Sequence, residues 1–404
     1  MLAAGRNGRP HDRTMDKAEI YLVPGFLGFA RLADLHYFIE VGEHLERRLA
    51  AAGIAASVVT TATVPVGSLR KRAEKLAEEV AARHDPDTSS VHFVGHSTGG
   101  LDVRLLLSPG SELDAGPDMR ARLGDAAFGR YADALGKVRS ATAVATPHFG
   151  TPIASVGVRL SVDALLRTAS QAARWPGVRD GLALALSAAA PLADVVQKLP
   201  VSLPFLDWID SAVLSSDPLA VLRYLDGIGA DIGALRNLTQ EAADLADALL
   251  VDRPAVDYGS VVTGTNEPLG AIKAITPLIY ANSIGFRVAW YFTADRDPAY
   301  EYASRTAELR AMHVADDAAG LDVGDLEIDD RTNDGIVPTE SQAHGRVLAV
   351  LASDHLDCVG HFPHTLADGT EVSGWVRSGA GFGSPRFELL WDRVADFMAT
   401  AAGR

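Results

Sequence analysis

One cysteine, Cys358, stands in 404 residues, which excludes an intramolecular disulfide and argues against redox chemistry at a dithiol. Cations are also in short supply: 37 Lys and Arg face 52 Asp and Glu, a formal charge of −15. Nucleic acids and anionic membrane surfaces are met by clustered cations, so this balance argues against both as partners. Long apolar runs are missing too. The longest mildly apolar stretch, residues 181–193, is broken by Pro191, closed by Asp194 and too short to span a bilayer. Residues 1–13 are rich in Gly, Arg and Pro and lack the apolar core of a secretory signal, so a cytoplasmic location is the expectation. Residues 1–15 read as a disordered tail. The oligomeric state is not legible.

What is present is a globular composition, 48% hydrophobic and 22% charged, which sets disordered and fibrous classes aside. Over residues 16–152, short apolar runs alternate with amphipathic stretches, the pattern of βαβ units and a mostly parallel central sheet flanked by helices. Strands are expected at 20–23, 57–61, 91–94 and 138–145. Helices are expected over much of 32–52 and over 68–83, where Leu69, Ala73, Leu76 and Val80 recur at helical spacing. The α/β pattern resumes over 256–404, with strands near 256–264 and 346–351. Between the two halves, residues 153–255 are rich in Ala and Leu and read as a large helical cap or lid. Residues 199–214 concentrate bulky apolar side chains around Pro200 and Pro204. That surface either packs on the core or opens to an acyl chain or a lipid surface. A second helical insertion is expected at 267–309.

Gly95-His96-Ser97-Thr98-Gly99 follows the apolar run 91–94 and precedes a helix-like stretch. A serine between glycines at a strand-to-helix junction is a nucleophile elbow, exposed at the positive end of a helix dipole. A serine hydroxyl is a weak nucleophile at neutral pH, so Ser97 needs a base, and the base needs a group to orient it. In the α/β-hydrolase order these follow as acid, then histidine. Asp334, in the polar loop Asn333-Asp334-Gly335, fits the acid; the same triplet is also a common Asx turn. Four later histidines can supply the base: His344, His355, His361 and His364. His355 leaves the last expected strand on a loop and is favoured, with His361 as its rival. For the oxyanion, Thr98 offers one backbone N–H and Phe26, in the Gly-rich turn after the first strand, offers a second, with Leu27 behind it.

These motifs resemble bacterial lipases of the α/β-hydrolase superfamily, the groups related to Pseudomonas, Burkholderia and thermophilic Bacillus lipases. The shared stretches are Pro24-Gly25-Phe26 and Gly95 to Gly100 with Arg104, then Ala145-Thr146-Pro147-His148-Phe149-Gly150-Thr151. Asn333-Asp334-Gly335-Ile336-Val337 and Asp354-His355-Leu356-Asp357 complete the series, in family order. The resemblance covers about half the chain and leaves the cap unmatched. It implies a triad of Ser97, Asp334 and His355 with Phe26 and Thr98 at the oxyanion hole. It also implies hydrolysis of carboxylic esters, small-molecule or lipid, with no required cofactor. Pro24 departs from the family, which usually carries a histidine there whose side chain helps fix the oxyanion loop. Several relatives hold a structural calcium through an aspartate placed like Asp357, with Asp316, Asp317, Asp329 and Asp330 available as further ligands. His148 reads either as a metal ligand or as a brace beside the site. An acyltransferase or a polyester depolymerase would use the same triad, and a non-catalytic binding protein on this fold would leave Ser97 unreactive.

Overall fold

The computed structural model describes residues 16–159, 233–268, 277–295 and 305–403, apart from positions 27, 29, 33, 34, 66, 373, 375 and 377. The expected tail, most of the cap including 199–214, and parts of the second insertion lie outside the described residues. Six strands form the central sheet: β1 Asp16–Val23, β2 Ile54–Thr60, β3 Ser90–His96, β4 Val138–Val144, β5 Asp257–Gly264 and β6 Arg346–Ala352. Every pairing among them is parallel, in the spatial order β2-β1-β3-β4-β5-β6. The order reverses between β1 and β3, and ligands of open parallel sheets bind outside the strand carboxyl ends at such a switch point.

Helices cover both faces. On one side lie α1 (Val41–Ala51) and, further along the chain, the C-terminal helix Ser384–Ala402; on the other lie α2 (Leu69–Arg83), α3 (Thr98–Leu107), α4 (Pro117–Leu123) and α5 (Asp125–Gly136). β1 shows the division residue by residue. Ala18, Ile20 and Leu22 enter the core under α1, while Tyr21 and Val23 enter the core under α2 and α3. The period of two in a strand sends alternate side chains to opposite faces, and two covered faces make the whole run apolar. Each fully buried aliphatic side chain contributes about 1.5–3 kcal/mol towards holding these layers together.

The strands lie where the sequence places them, with ends moved by up to four residues. α2 runs as expected, its first turn capped by Ser68, whose hydroxyl accepts from the Lys71 N–H. The expected helix over 32–52 is a correction. Arg31–Leu32 pairs antiparallel with Leu35–His36, residues 37–40 form bends, and the helix begins at Val41. Tertiary bonding overrides propensity here: Tyr37, in the bend, carries its hydroxyl to His96 at 2.7 Å. Of the expected cap, α6 (Pro152–Arg159), α7 (Gly233–Asn237) and α8 (Gln240–Leu249) are described. Thr151 N–H donates to the Leu238 carbonyl and Leu69 N–H to Asn237 Oδ1, which ties α7 to the core. Of the second insertion, helix α9 (Pro277–Ala294) is described; α10 (Thr306–Ala318) packs on β6, and α11 is the C-terminal helix Ser384–Ala402. No described helix is long and apolar enough to cross a membrane.

Candidate active site

Ser97 sits between β3 and α3 with φ 55° and ψ −132°, a backbone conformation that L-residues rarely adopt. The strain is held by packing. A β-carbon on Gly95 would meet the backbone of Gly99 and Gly100, and one on Gly99 would meet the Val23 carbonyl, so the turn closes only with glycine at both places. Ser97 N–H donates to the Val144 carbonyl at 2.9 Å, anchoring the elbow to β4. Thr98 opens α3, which leaves its N–H free of intrahelical bonds at the positive end of the helix. Phe26 lies half-buried in the loop after β1, packed against the core beneath α1; Leu27 lies outside the described residues.

Asp334 and His355, 21 residues apart, meet at 2.8 Å between Oδ2 and Nδ1. The carboxylate is fully buried, and its two oxygens have separate duties. Oδ1 accepts from the Ile336 and Val337 N–H groups at 3.0 and 2.8 Å, which is the turn use of an aspartate. Oδ2 accepts from His355, from the Thr263 hydroxyl at 2.9 Å and from the Gln342 amide at 3.2 Å. The Asx turn and the carboxylate that meets His355 are thus the same residue. The loop is buttressed by the second insertion. Phe286 packs against Gly335, Thr293 Oγ1 donates to the Gly335 carbonyl, and Asn333 Nδ2 donates to the Trp290 carbonyl.

The loop of His355 is tied to the elbow through His96. Its Nε2 lies 2.8 Å from the His355 carbonyl, which can only accept, so Nε2 carries the hydrogen and Nδ1 accepts from the Tyr37 hydroxyl. Burial holds His96 well below the ordinary histidine range, and the neighbouring His355 adds to that. The imidazoles of His96 and His355 lie 4.7 Å apart, so the residue adjoining Ser97 touches the expected base. Asp354 caps the turn after His355 by accepting from Leu356 and Asp357 N–H, both at 3.0 Å.

The other histidines have different partners. His344 bonds Asp252 at 3.0 Å, and His361 donates from Nε2 to the Tyr37 carbonyl at 2.9 Å. His364 Nδ1 donates to the Phe362 carbonyl at 2.8 Å. Among these histidines, the one bonded to Asp334 is His355. His148 is buried against the His344 ring, at 4.8 Å between centroids, and lines a small cavity behind α3 with Arg104 and Thr142. Among the described residues neither of its ring nitrogens has a hydrogen-bond partner.

Of the aspartates weighed beside Asp357 as calcium ligands, Asp316 pairs with Arg393 at 3.0 Å and Asp329 Oδ1 accepts from Arg331 N–H and Thr332 Oγ1. Among the described residues, no three His, Cys, Asp or Glu side chains converge to hold a metal.

Thr263, Gln342, Tyr37 and the pair Arg72–Asp102 escaped the sequence reading. Arg72 alone left a trace, as a charge at helical spacing within the apolar face of α2.

Fold and site together define a class: a parallel sheet in this order with a serine elbow after β3 is the α/β-hydrolase architecture. No protein-family model matches the chain, and no curated protein matches it. Among solved structures, a metagenomic carboxyl esterase is 19% identical over 98% of this chain and 82% of its own, with a TM-score of 0.45. Lipase 1 from Pelosinus fermentans is 16% identical over 95% and 99%, with a TM-score of 0.49. The Staphylococcus hyicus lipase is 16% identical over 99% and 98%, with a TM-score of 0.47. Similarity at this level carries no functional argument, which rests on the geometry of the site.

Proposed function

We propose that the protein is a serine hydrolase that cleaves carboxylic esters with aliphatic acyl groups through an acyl-enzyme, in the manner of a lipase or esterase. The observation that carries this reading is the buried pair of Asp334 and His355 at 2.8 Å, tied through His96 to a strained serine at a helix N-terminus. Ser97 Oγ attacks the ester carbonyl while His355 Nε2 takes its proton. Asp334 keeps the other imidazole hydrogen on Nδ1 and offsets the positive charge that develops. The carbonyl oxygen, now an oxyanion, is met by the N–H groups of Phe26 and Thr98. His355 hands its proton to the departing alcohol, then activates a water that releases the acid and restores Ser97.

The test is hydrolysis of p-nitrophenyl esters from acetate to palmitate by wild type and Ser97→Ala, beside labelling with a fluorophosphonate. Turnover and labelling that both vanish in the variant are the expected result. A wild type that neither turns over an ester nor takes the label at Ser97 would overturn the reading. The chain length at which turnover peaks separates a lipase from an esterase.

A further inference from the structure

The two oxyanion donors assigned above come from different elements, Thr98 from α3 and Phe26 from the loop after β1, so something must fix one against the other. Position 24 offers no side chain for the purpose, and a proline has no N–H. Its one backbone polar group is the carbonyl, and that carbonyl is taken by Arg72.

Arg72 projects from the buried face of α2 and Asp102 from α3, and both side chains are fully buried. Arg72 Nε and Nη2 donate to Asp102 Oδ2 at 3.0 and 2.7 Å, and Nε also reaches Oδ1 at 3.2 Å. The second hydrogen of Nη2 goes to the Pro24 carbonyl at 2.8 Å, and Nη1 donates to the Val64 carbonyl at 3.1 Å. One planar guanidinium therefore joins the helix behind Ser97, the oxyanion loop and the loop after β2. From the other side, Gly25 N–H donates to the Tyr37 hydroxyl. The two residues before Phe26 are thus held on both of their polar faces.

We propose that Arg72 and Asp102 are a positioning pair for the oxyanion hole: they lock the loop that carries Phe26 to the helix that carries Ser97 and Thr98. The proposal rests on the ester-hydrolase reading. Stability alone does not account for the pair, because replacing a buried ion pair by apolar groups of similar volume is often neutral or stabilising. What the pair supplies and apolar groups cannot is a directional hold on the Pro24 carbonyl. Arginine suits this because its fork can engage a carboxylate and two carbonyls at once.

The experiment compares full-length wild type with Arg72→Met/Asp102→Leu, which removes both charges together and leaves neither buried alone. Three quantities are read beside the melting curve: kcat, KM, and the inhibition constant of a trifluoromethyl ketone, which adds to a serine nucleophile as a hemiketal oxyanion. A folded variant is expected to lose kcat by about 10- to 100-fold, lose ketone affinity by a similar factor and keep its KM. Inhibition constants and KM do not depend on how much of a sample is active, so partial unfolding cannot imitate this split. Should the double variant fail to fold, Arg72→Lys carries the same test, since it keeps a charge opposite Asp102 but loses the fork. Unchanged kcat and ketone affinity in a folded variant, or a loss confined to KM, overturns the positioning role. A wild type unlabelled by fluorophosphonate is a separate failure, that of the hydrolase reading itself.

Discussion

Asp334→Asn is the substitution whose consequence the geometry fixes most closely. Five donors converge on the carboxylate, two backbone N–H groups on Oδ1 and three groups on Oδ2. An asparagine must turn its NH2 towards one of these sets. Facing Ile336 and Val337, it would break both bonds that hold the turn. Facing the other way, it meets the Thr263 hydroxyl, which can rotate to accept, and His355, which can move its hydrogen from Nδ1 to Nε2. The second choice costs less and so prevails. It leaves His355 presenting a hydrogen, not a lone pair, to Ser97, and a base in the wrong tautomer accepts no proton. The expected loss in kcat is about 10⁴-fold, equivalent to about 5.5 kcal/mol at the barrier. Stability should change by less, about 1–3 kcal/mol for the mismatched donors. The assay is steady-state hydrolysis of p-nitrophenyl butyrate, with circular dichroism and a melting curve to establish that the variant is folded. A folded Asp334→Asn enzyme whose kcat stays within about tenfold of wild type would refute the tautomer argument, and with it the role of Asp334.

Three further outcomes are expected. Gly95→Ala places a β-carbon against the backbone of Gly99 and Gly100 and should destabilise the fold by about 3 kcal/mol or more; a denaturant midpoint equal to wild type would contradict it. Acid should destabilise the protein early, because burial drives His361 down to about 4 and His92 to about 3, with His96 and His148 also well below the ordinary range. A histidine whose folded pKa is depressed contributes stability that is present above about pH 6.5 and is lost as the pH falls towards its folded value. Together the four histidines remove up to about 5 kcal/mol per pH unit, partly offset by Asp102 and Asp354, whose carboxyls burial raises. Chemical denaturation at pH 7, 6 and 5 measures the slope, and a flat profile would refute it. Finally, turnover should survive dialysis against a chelator, since Asp316 and Asp329, two of the carboxylates available beside Asp357, are bonded elsewhere; loss of activity restored by calcium would refute that.

The legible parts of this protein were those whose chemistry is local. An elbow needs glycines on both sides of its serine, and the steric reason lies within five residues, so the strained turn at Ser97 and the helix start at Thr98 could be placed from the chain alone. His355 was legible as a histidine leaving the last strand. Its choice over His361 needed the fold, because what separates the two is which one meets a carboxylate. Asp334 shows why motif reading stalls: a turn aspartate and one that meets a histidine look alike in sequence, and here one carboxylate makes both sets of bonds, one with each oxygen.

What stayed hidden depends on partners far away in the chain. The bend at 31–40 reads as helix because nothing nearby forbids one; Tyr37 leaves the helical path to reach His96, 59 residues on. The second insertion reads as an appendage until Phe286 and Thr293 are seen against Gly335, where they hold the acid's loop. α11 carries Phe387, Leu390, Trp391, Val394 and Met398 at helical spacing and was within reach of periodicity alone. Arg72 is the instructive intermediate case. A cation at helical spacing inside an apolar stripe says that a buried partner must exist, since an unpaired buried charge is too costly to keep. It does not say that the partner is Asp102, 30 residues on, or that a hydrogen left over reaches Pro24. Pro24 is visible as a departure from the motif of the lipases that the sequence resembles. What holds its carbonyl is a side chain from another helix, and only the fold brings it there.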